Sequence, residues 1–132
     1  MQNQIAHYAN KLAFEIDSWD LKEAQKGSAD VIVLDVRSVD AYEREHIPGA
    51  ISFPHKRMTA ENTETLRRDA QYVVYCDGIG CNASTAGAMK MASLGFKVKE
   101  LMGGLDWWKR SAFQTRTQQC ATQSANEVCG CN

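Results

Sequence analysis

Residues 72–84 read Tyr-Val-Val-Tyr-Cys-Asp-Gly-Ile-Gly-Cys-Asn-Ala-Ser, and this stretch decides the predicted fold. The apolar run 72–75 predicts a buried strand that brings Cys76 to its carboxyl end, before a glycine-rich loop and a helical pattern. A cysteine in that position is a candidate nucleophile. The alternative is a structural cysteine that ends a core strand, because free cysteine is among the most buried residues.

The loop after Cys76 is expected to favour a negatively charged sulfur. Gly78 and Gly80 are expected to take positive φ and so turn successive N–H groups inward, which forms an anion-binding cradle. Ser84 is expected to cap the following helix, whose N-terminus then faces the sulfur. Both effects lower the pKa of the Cys76 thiol and favour the nucleophilic thiolate.

The composition limits the class of protein. With 132 residues, of which 44% are hydrophobic, the chain can bury the core of one compact domain. Its net charge of -1 arises from mixed signs, which argues against a nucleic-acid or membrane-surface protein. No apolar stretch has the length of a membrane span and the start lacks a signal core, so a cytoplasmic location is expected. In that reducing compartment, five cysteines favour reactive or metal-binding roles over structural disulfides.

Apolar runs alternate with helical patterns along the chain. The predicted strands are Phe14–Ile16, Val31–Val36, Ala50–Phe53, Tyr72–Tyr75 and Val98–Leu101. The predicted helices are 1–13, 18–25, Asp40–Arg44, Glu61–Arg68, 84–94 and Leu105–Arg110. This alternation predicts an α/β domain with a mainly parallel sheet, whose ligands bind at the carboxyl ends of the strands. Asp35 and Cys76 are both expected at that edge.

The composition changes near residue 114. We expect residues 1–113 to form a single domain that begins with the 1–13 helix, and residues 114–132 to form a polar tail. That tail carries Cys120, Cys129 and Cys131.

Three segments, VIVLDVRSVDAYEREHIPGAISFPH (31–55), VVYCDGIGCNASTAGAMKMASLGF (73–96) and VKELMGGLDWW (98–108), resemble a rhodanese-type sulfurtransferase domain. The resemblance spans Phe14–Lys109 and implies a five-stranded parallel sheet flanked by helices on both faces. It implies that Cys76 takes a sulfane sulfur from a donor and holds it as a persulfide, without a cofactor. Asp35 and Arg37 in the DVR segment would secure the surrounding loops rather than take part in catalysis.

The implied persulfide-binding loop follows Cys76 directly. Its residues are Asp77, Gly78, Ile79, Gly80, Cys81, Asn82, Ala83 and Ser84.

This loop departs from the family pattern in length and charge. It has eight positions from Cys76 to Ala83 where six are usual, and Ala83 stands at the usual arginine position. Without that guanidinium, and with Asp77 beside the nucleophile, thiosulfate is not the expected physiological donor. A low-molecular-weight persulfide or a persulfidated protein is expected to donate the sulfur, and a thiol or a protein to accept it. The absence of an arginine from the loop also argues against phosphoryl transfer, because that reaction needs cationic groups that bind the phosphoryl oxygens.

Other cysteines leave alternatives open. Cys81 is either a resolving thiol for Cys76 or a residue that only fills the longer loop. Cys129 and Cys131 are candidate relay thiols; together with Cys120 they offer three soft ligands, but zinc sites usually need four and no metal site is expected. The alternative to both roles is a tail without function.

Two histidines and two tryptophans also have alternative roles. His46 is expected to make a structural hydrogen bond, and His55 is placed near the mouth of the site. Trp107 and Trp108 are expected to pack, one of them as a wall of the pocket.

A second function from a different class remains open. A non-catalytic rhodanese fold would use the cysteines as a redox switch or dock a partner protein. The enzyme accumulates a persulfide on Cys76, whereas the switch accumulates a disulfide.

Overall fold

The computed structural model describes residues 1–27 and 30–118. The strands are β1 (Glu15–Ile16), β2 (Val31–Asp35), β3 (Ile51–Ser52), β4 (Gln71–Tyr75) and β5 (Lys97–Leu101). The helices are α1 (Gln2–Phe14), α2 (Ser18–Gly27), α3 (Val39–Arg44), α4 (Ala83–Ser93) and α5 (Gly104–Arg110), with a 3₁₀ turn at His55–Arg57.

All five strands are parallel and lie in the order β1-β5-β4-β2-β3. This confirms the predicted α/β fold with a five-stranded sheet. Asp35 pairs with Tyr75 in the register of β2 and β4, so these strands end side by side at one edge.

Alternating residues of β4 enter two separate cores. Val73 and Tyr75 pack on one face with Leu21 and Trp108, whereas Tyr72 and Val74 pack on the other with Met91. A strand covered on both faces is continuously apolar, which explains the run at 72–75.

The predicted helix Glu61–Arg68 is wrong, since this segment forms successive turns. The Asn62 side chain donates to the Arg57 carbonyl, and the Thr63 hydroxyl donates to the Thr59 carbonyl. These local side-chain bonds offer the backbone an alternative to helical bonding.

The first helix has the predicted length of 13 residues but is shifted by one, to Gln2–Phe14, and none of its residues is buried. By contrast, α2 begins as expected, because the Asp17 carboxylate accepts a hydrogen bond from the Asp20 amide at 2.8 Å. Among the described residues, no helix combines the length and apolar character needed to cross a membrane.

Candidate active site

Cys76 lies directly after β4, at the floor of a cleft of about 540 Å³. It is only 2% exposed, and Val36 beside it is 1% exposed. The rest of the cleft is built by the segment after β2, by α3, by the 3₁₀ turn and by the loop between β4 and α4. The end of β4 therefore brings Cys76 to the bottom of an open cleft.

Cys76 forms a disulfide bond with Cys81, and their Cα atoms are 6.4 Å apart. A turn in which the Cys81 amide donates to the Gly78 carbonyl at 3.1 Å brings the two cysteines together. Both cysteines line the cleft, so the pair that the sequence left open is bonded in the structure.

The start of α5 holds the loop in place. The Leu105 amide donates to the Cys76 carbonyl at 2.9 Å, and the Asp106 amide donates to the Asp77 carbonyl at 2.8 Å. These bonds are possible because Gly103 and Gly104 have φ of 77° and 59°. The positive φ predicted for Gly78 and Gly80 is wrong, since neither residue has it. The glycines with positive φ at this site are Gly103 and Gly104. The anion cradle at Asp77–Ala83 stays a prediction.

Replacing Gly104 with alanine is expected to destabilise the protein by about 2–4 kcal/mol, because strained backbone and overpacking add. A Cβ at Gly104 would overlap the Cys76 carbonyl oxygen and approach the Gly78 nitrogen to 2.9 Å. Urea unfolding measures the change.

Gly80→Ala is the matched control, since φ there is not positive and nothing lies within 4 Å of the added Cβ. It should change stability by less than about 1 kcal/mol. Equal losses in the two variants would contradict the close packing assigned to Gly104.

Ser84 lies inside α4 and does not cap it, so this predicted role is wrong. Its hydroxyl donates to Glu100 Oε2 on β5 at 2.7 Å, and the Thr85 hydroxyl donates to the same oxygen at 2.8 Å. Asn82 occupies the N-cap position without a side-chain capping bond. The Glu100 carboxylate thus accepts the Ser84 hydroxyl that was expected to cap the helix. The two bonds to Glu100 hold α4 against β5.

Asp35 is fully buried beneath the site and accepts hydrogen bonds from two side chains. Arg37 Nη2 donates to Asp35 Oδ2 at 2.7 Å, and the Tyr75 hydroxyl donates to the same oxygen at 2.7 Å. Tyr75 in turn accepts the Ile47 amide at 3.0 Å. The predicted ion pair between Asp35 and Arg37 is thus present, and its role in ordering the surrounding loops stays a prediction.

Arg37 also reaches the loop, because its Nη1 donates to Asp77 Oδ1 at 3.0 Å. Its Nη2 donates to the Glu45 carbonyl at 2.6 Å. Burial acts to lower the pKa of the Arg37 guanidinium, but the hydrogen bonds and charge of Asp35 and the bond to Asp77 outweigh it and raise that pKa. The pKa of Tyr75 is raised by burial and by the Asp35 charge. Arg37 is thus a permanent cation already matched by two carboxylates.

The outer wall of the cleft carries groups that sequence reasoning missed. Arg44 on α3 and Lys56 on the 3₁₀ turn line the cleft and are exposed. Within the described chain, neither forms an ion pair. Only the fold reveals them, because they lie 32 and 20 residues before Cys76 in sequence.

His55 lines the same cleft, as predicted, and Lys90 Nζ lies 3.4 Å from its Nδ1. Burial, followed by the charges of Lys90 and Lys56, lowers the pKa of His55, so the ring is neutral at pH 7. His46 lies elsewhere: its Nδ1 bonds to the Tyr42 carbonyl at 2.7 Å, which is the structural role predicted for it.

A second cavity of about 490 Å³ lies beside the loop and is mostly apolar. Ile79 of the loop lines it together with Trp19, Met102 and Trp107, whereas Trp108 is fully buried in the core. Trp108 packs in the core as expected, but the prediction that one tryptophan walls the pocket of Cys76 is wrong, because Trp107 lines this second cavity and neither ring lines the cleft.

The fold is found in known proteins. The BH2092 protein from Bacillus halodurans superposes with a TM-score of 0.84 at 36% identity, covering 96% of this chain and 93% of its own. The family model described as "Rhodanese-like domain" matches residues 19–111. The chain belongs to the rhodanese-like domain family. The predicted resemblance is confirmed.

This rhodanese-like domain is also similar to curated sulfurtransferases. It is 32% identical over 111 residues to the protein named thiosulfate sulfurtransferase GlpE from Coxiella burnetii, which spans 83% of this chain and 89% of the relative. It is 38% identical over 87 residues to a tRNA sulfurtransferase from Desulfurococcus amylolyticus, where the match spans 66% of this chain but 17% of the relative.

The cleft of the rhodanese-like domain is lined by five of the eleven predicted site residues that the structure describes. Cys76, Asp77, Cys81 and Ala83 line the cleft with Arg37, whereas Ile79 faces the neighbouring cavity. The candidate relay thiols Cys129 and Cys131, with Cys120, lie outside the described residues and stay predictions.

Proposed function

We propose that this rhodanese-like domain is a sulfurtransferase that carries a sulfane sulfur on Cys76. The observation that supports this most strongly is the placement of the Cys76 sulfur at the floor of an open cleft, with its backbone fixed by the Leu105 amide. Relatives at 32% and 38% identity bear sulfurtransferase names, which agrees with this activity.

The proposed cycle has two displacement steps. The Cys76 thiolate attacks the outer sulfur of the donor; a new S–S bond forms, the donor's S–S bond breaks, and the leaving group departs with the electron pair. An acceptor thiolate then attacks the outer sulfur of the Cys76 persulfide, and Cys76 leaves as a thiolate. No cofactor is needed, since only sulfur–sulfur bonds are exchanged.

Reduction of the Cys76–Cys81 disulfide precedes this cycle, because a disulfide-bonded sulfur is not a nucleophile. Two thiols reduce the pair by exchange: the first forms a mixed disulfide with one cysteine, and the second displaces that cysteine as a thiolate and leaves with the first as their disulfide. Asp77, which otherwise opposes the thiolate, is held by Arg37 at 3.0 Å, and this pairing reduces its effect on the sulfur.

We propose a persulfide rather than thiosulfate as the physiological donor. Residues 76–83 contain no cation, and the guanidinium of Arg37 is matched by Asp35 and Asp77. A thiosulfate dianion carries its charge next to the reacting sulfur and would need such a partner there. A persulfide is not a dianion at the reacting sulfur, so we propose that it does not need a cationic side chain there.

The test is a turnover assay with the reduced protein, a thiol acceptor and either donor. The proposal expects sulfur transfer from both donors, with a higher kcat/KM for the persulfide. Failure of the reduced protein to move sulfur from either donor would contradict it.

Replacing Ala83 with arginine is expected to raise kcat/KM for thiosulfate at least about tenfold, because a charge-assisted hydrogen bond to the donor is worth about 1.5–3 kcal/mol. Ala83 lines the cleft beside both cysteines, so an arginine there reaches the donor. Steady-state kinetics with thiosulfate measures the change.

Met89→Arg is the control, since Met89 lies on the same helix but is 66% exposed and lines no part of the cleft. An unchanged kcat/KM in Ala83→Arg, or an equal gain in Met89→Arg, would contradict the account of donor choice.

The disulfide also favours a second candidate function, a redox switch. In this case oxidation closes Cys76 and Cys81 into the bonded pair and reduction restores the free thiols. The switch predicts that a mass about 2 Da below that of the reduced protein appears on oxidation and requires both cysteines. This redox switch is compatible with sulfurtransferase activity, because the disulfide would protect the Cys76 nucleophile until it is reduced.

A further inference from the structure

We propose that Arg44 and Lys56 select persulfides that carry carboxylates several bonds away from the sulfane sulfur. This inference rests on the proposed function and names the substrate class of the same site. It is carried by the positions of these cations relative to Cys76.

The cleft separates its reacting atom from its free charges. Cys76 at the floor is 2% exposed, whereas Arg44 and Lys56 are exposed and line the same cleft from α3 and the 3₁₀ turn. A donor whose sulfur reaches the floor therefore places its remote groups beside these two cations.

The other ionisable groups of the cleft are already engaged. Arg37 is paired with Asp35 at 2.7 Å and with Asp77 at 3.0 Å. His55 is a neutral ring at pH 7, and the ammonium of Lys90 donates to its backbone carbonyl at 3.1 Å. Arg44 and Lys56 are thus the cations of the described cleft lining that have no carboxylate partner.

The size of the cleft agrees with a donor larger than thiosulfate. Sites for small organic ligands have volumes of about 300–1,000 Å³, and this cleft has about 540 Å³. A peptide-sized persulfide with two carboxylates extends from the floor to the mouth, whereas thiosulfate has no remote charge to offer. Exposed cations act mainly through long-range attraction, so salt should weaken the preference.

The experiment combines two protein changes with two donors that share the glutathione backbone and differ in whether their carboxylates are ionised or esterified. The donors are glutathione persulfide and the persulfide of glutathione diethyl ester, in which both carboxylates are blocked. The variant is Arg44→Gln/Lys56→Gln, and both substitutions are at exposed positions that leave the core intact. Lys97→Gln is the control, because Lys97 is an exposed cation at the amino end of β5.

The double variant should lower kcat/KM for glutathione persulfide about five- to tenfold and change that for the diester less than about twofold. Added salt should narrow the difference between the two donors in wild type, and Lys97→Gln should behave as wild type. Equal losses for both donors, or no loss for either, would overturn the inference while leaving Cys76 as the sulfur carrier. If Cys76 takes sulfur from neither donor, the inference and the proposed function both fail.

Discussion

Cys76→Ser should lower sulfur transfer by at least about a thousandfold, because a serine hydroxyl cannot hold a sulfane sulfur and Cys81 takes no part in the proposed displacement steps. The substitution replaces one sulfur atom with oxygen in a residue that is 2% exposed and removes the disulfide to Cys81. The bonds from Leu105 and Asp106 to the loop carbonyls involve the backbone alone and stay in place. The fold should therefore survive. Turnover with a persulfide donor measures the loss, and circular dichroism checks the fold.

Cys81→Ser is the matched control. It removes the same disulfide as Cys76→Ser but leaves the sulfur at the end of β4. In reducing buffer, Cys81→Ser should retain transfer within about a few-fold of wild type, since Cys81 takes no part in the two displacement steps. Loss of transfer in Cys81→Ser but not in Cys76→Ser would contradict this assignment and make Cys81 the nucleophile.

Asp35→Ala should destabilise the protein by about 3–5 kcal/mol, because it leaves the buried Arg37 guanidinium without its main counterion. The Asp35 carboxylate is fully buried and also accepts the hydroxyl of Tyr75, which loses its partner in the same variant. Chemical unfolding in urea, followed by tryptophan fluorescence, measures the change.

Asp77→Ala provides the matched control on the same guanidinium. The Asp77 side chain is 72% exposed, so its ion pair with Arg37 should contribute less than about 1 kcal/mol. Similar losses in the two variants would contradict the assignment of Asp35 as the buried anchor of the site.

The strands and the position of the nucleophile were predictable because their signals are local. A run such as Tyr72–Tyr75 is apolar on both faces only when a central strand is covered on both sides, and Val73 and Val74 indeed enter different cores. Cys76 follows that run directly, so its place at the carboxyl end of β4 required no tertiary information.

The rest of the site depends on contacts between distant residues. Ser84 was expected to cap α4, but Glu100, 16 residues later, accepts its hydroxyl. The positive φ expected at Gly78 is found at Gly104. A glycine is needed at position 104 because the start of α5 lies close to the Cys76 carbonyl. Arg44 and Lys56 belong to no recognisable sequence motif, and only the folded structure shows that they line the same cleft as Cys76.

The most direct test of the central claim is the intact mass of the reduced protein after exposure to a persulfide donor, with wild type, Cys76→Ser and Cys81→Ser compared side by side. The sulfurtransferase account predicts a gain of about 32 Da, one sulfur atom, in wild type and Cys81→Ser and no gain in Cys76→Ser. A loss of about 2 Da that requires both cysteines, without any sulfur adduct, would contradict it and leave the redox switch as the function of the pair.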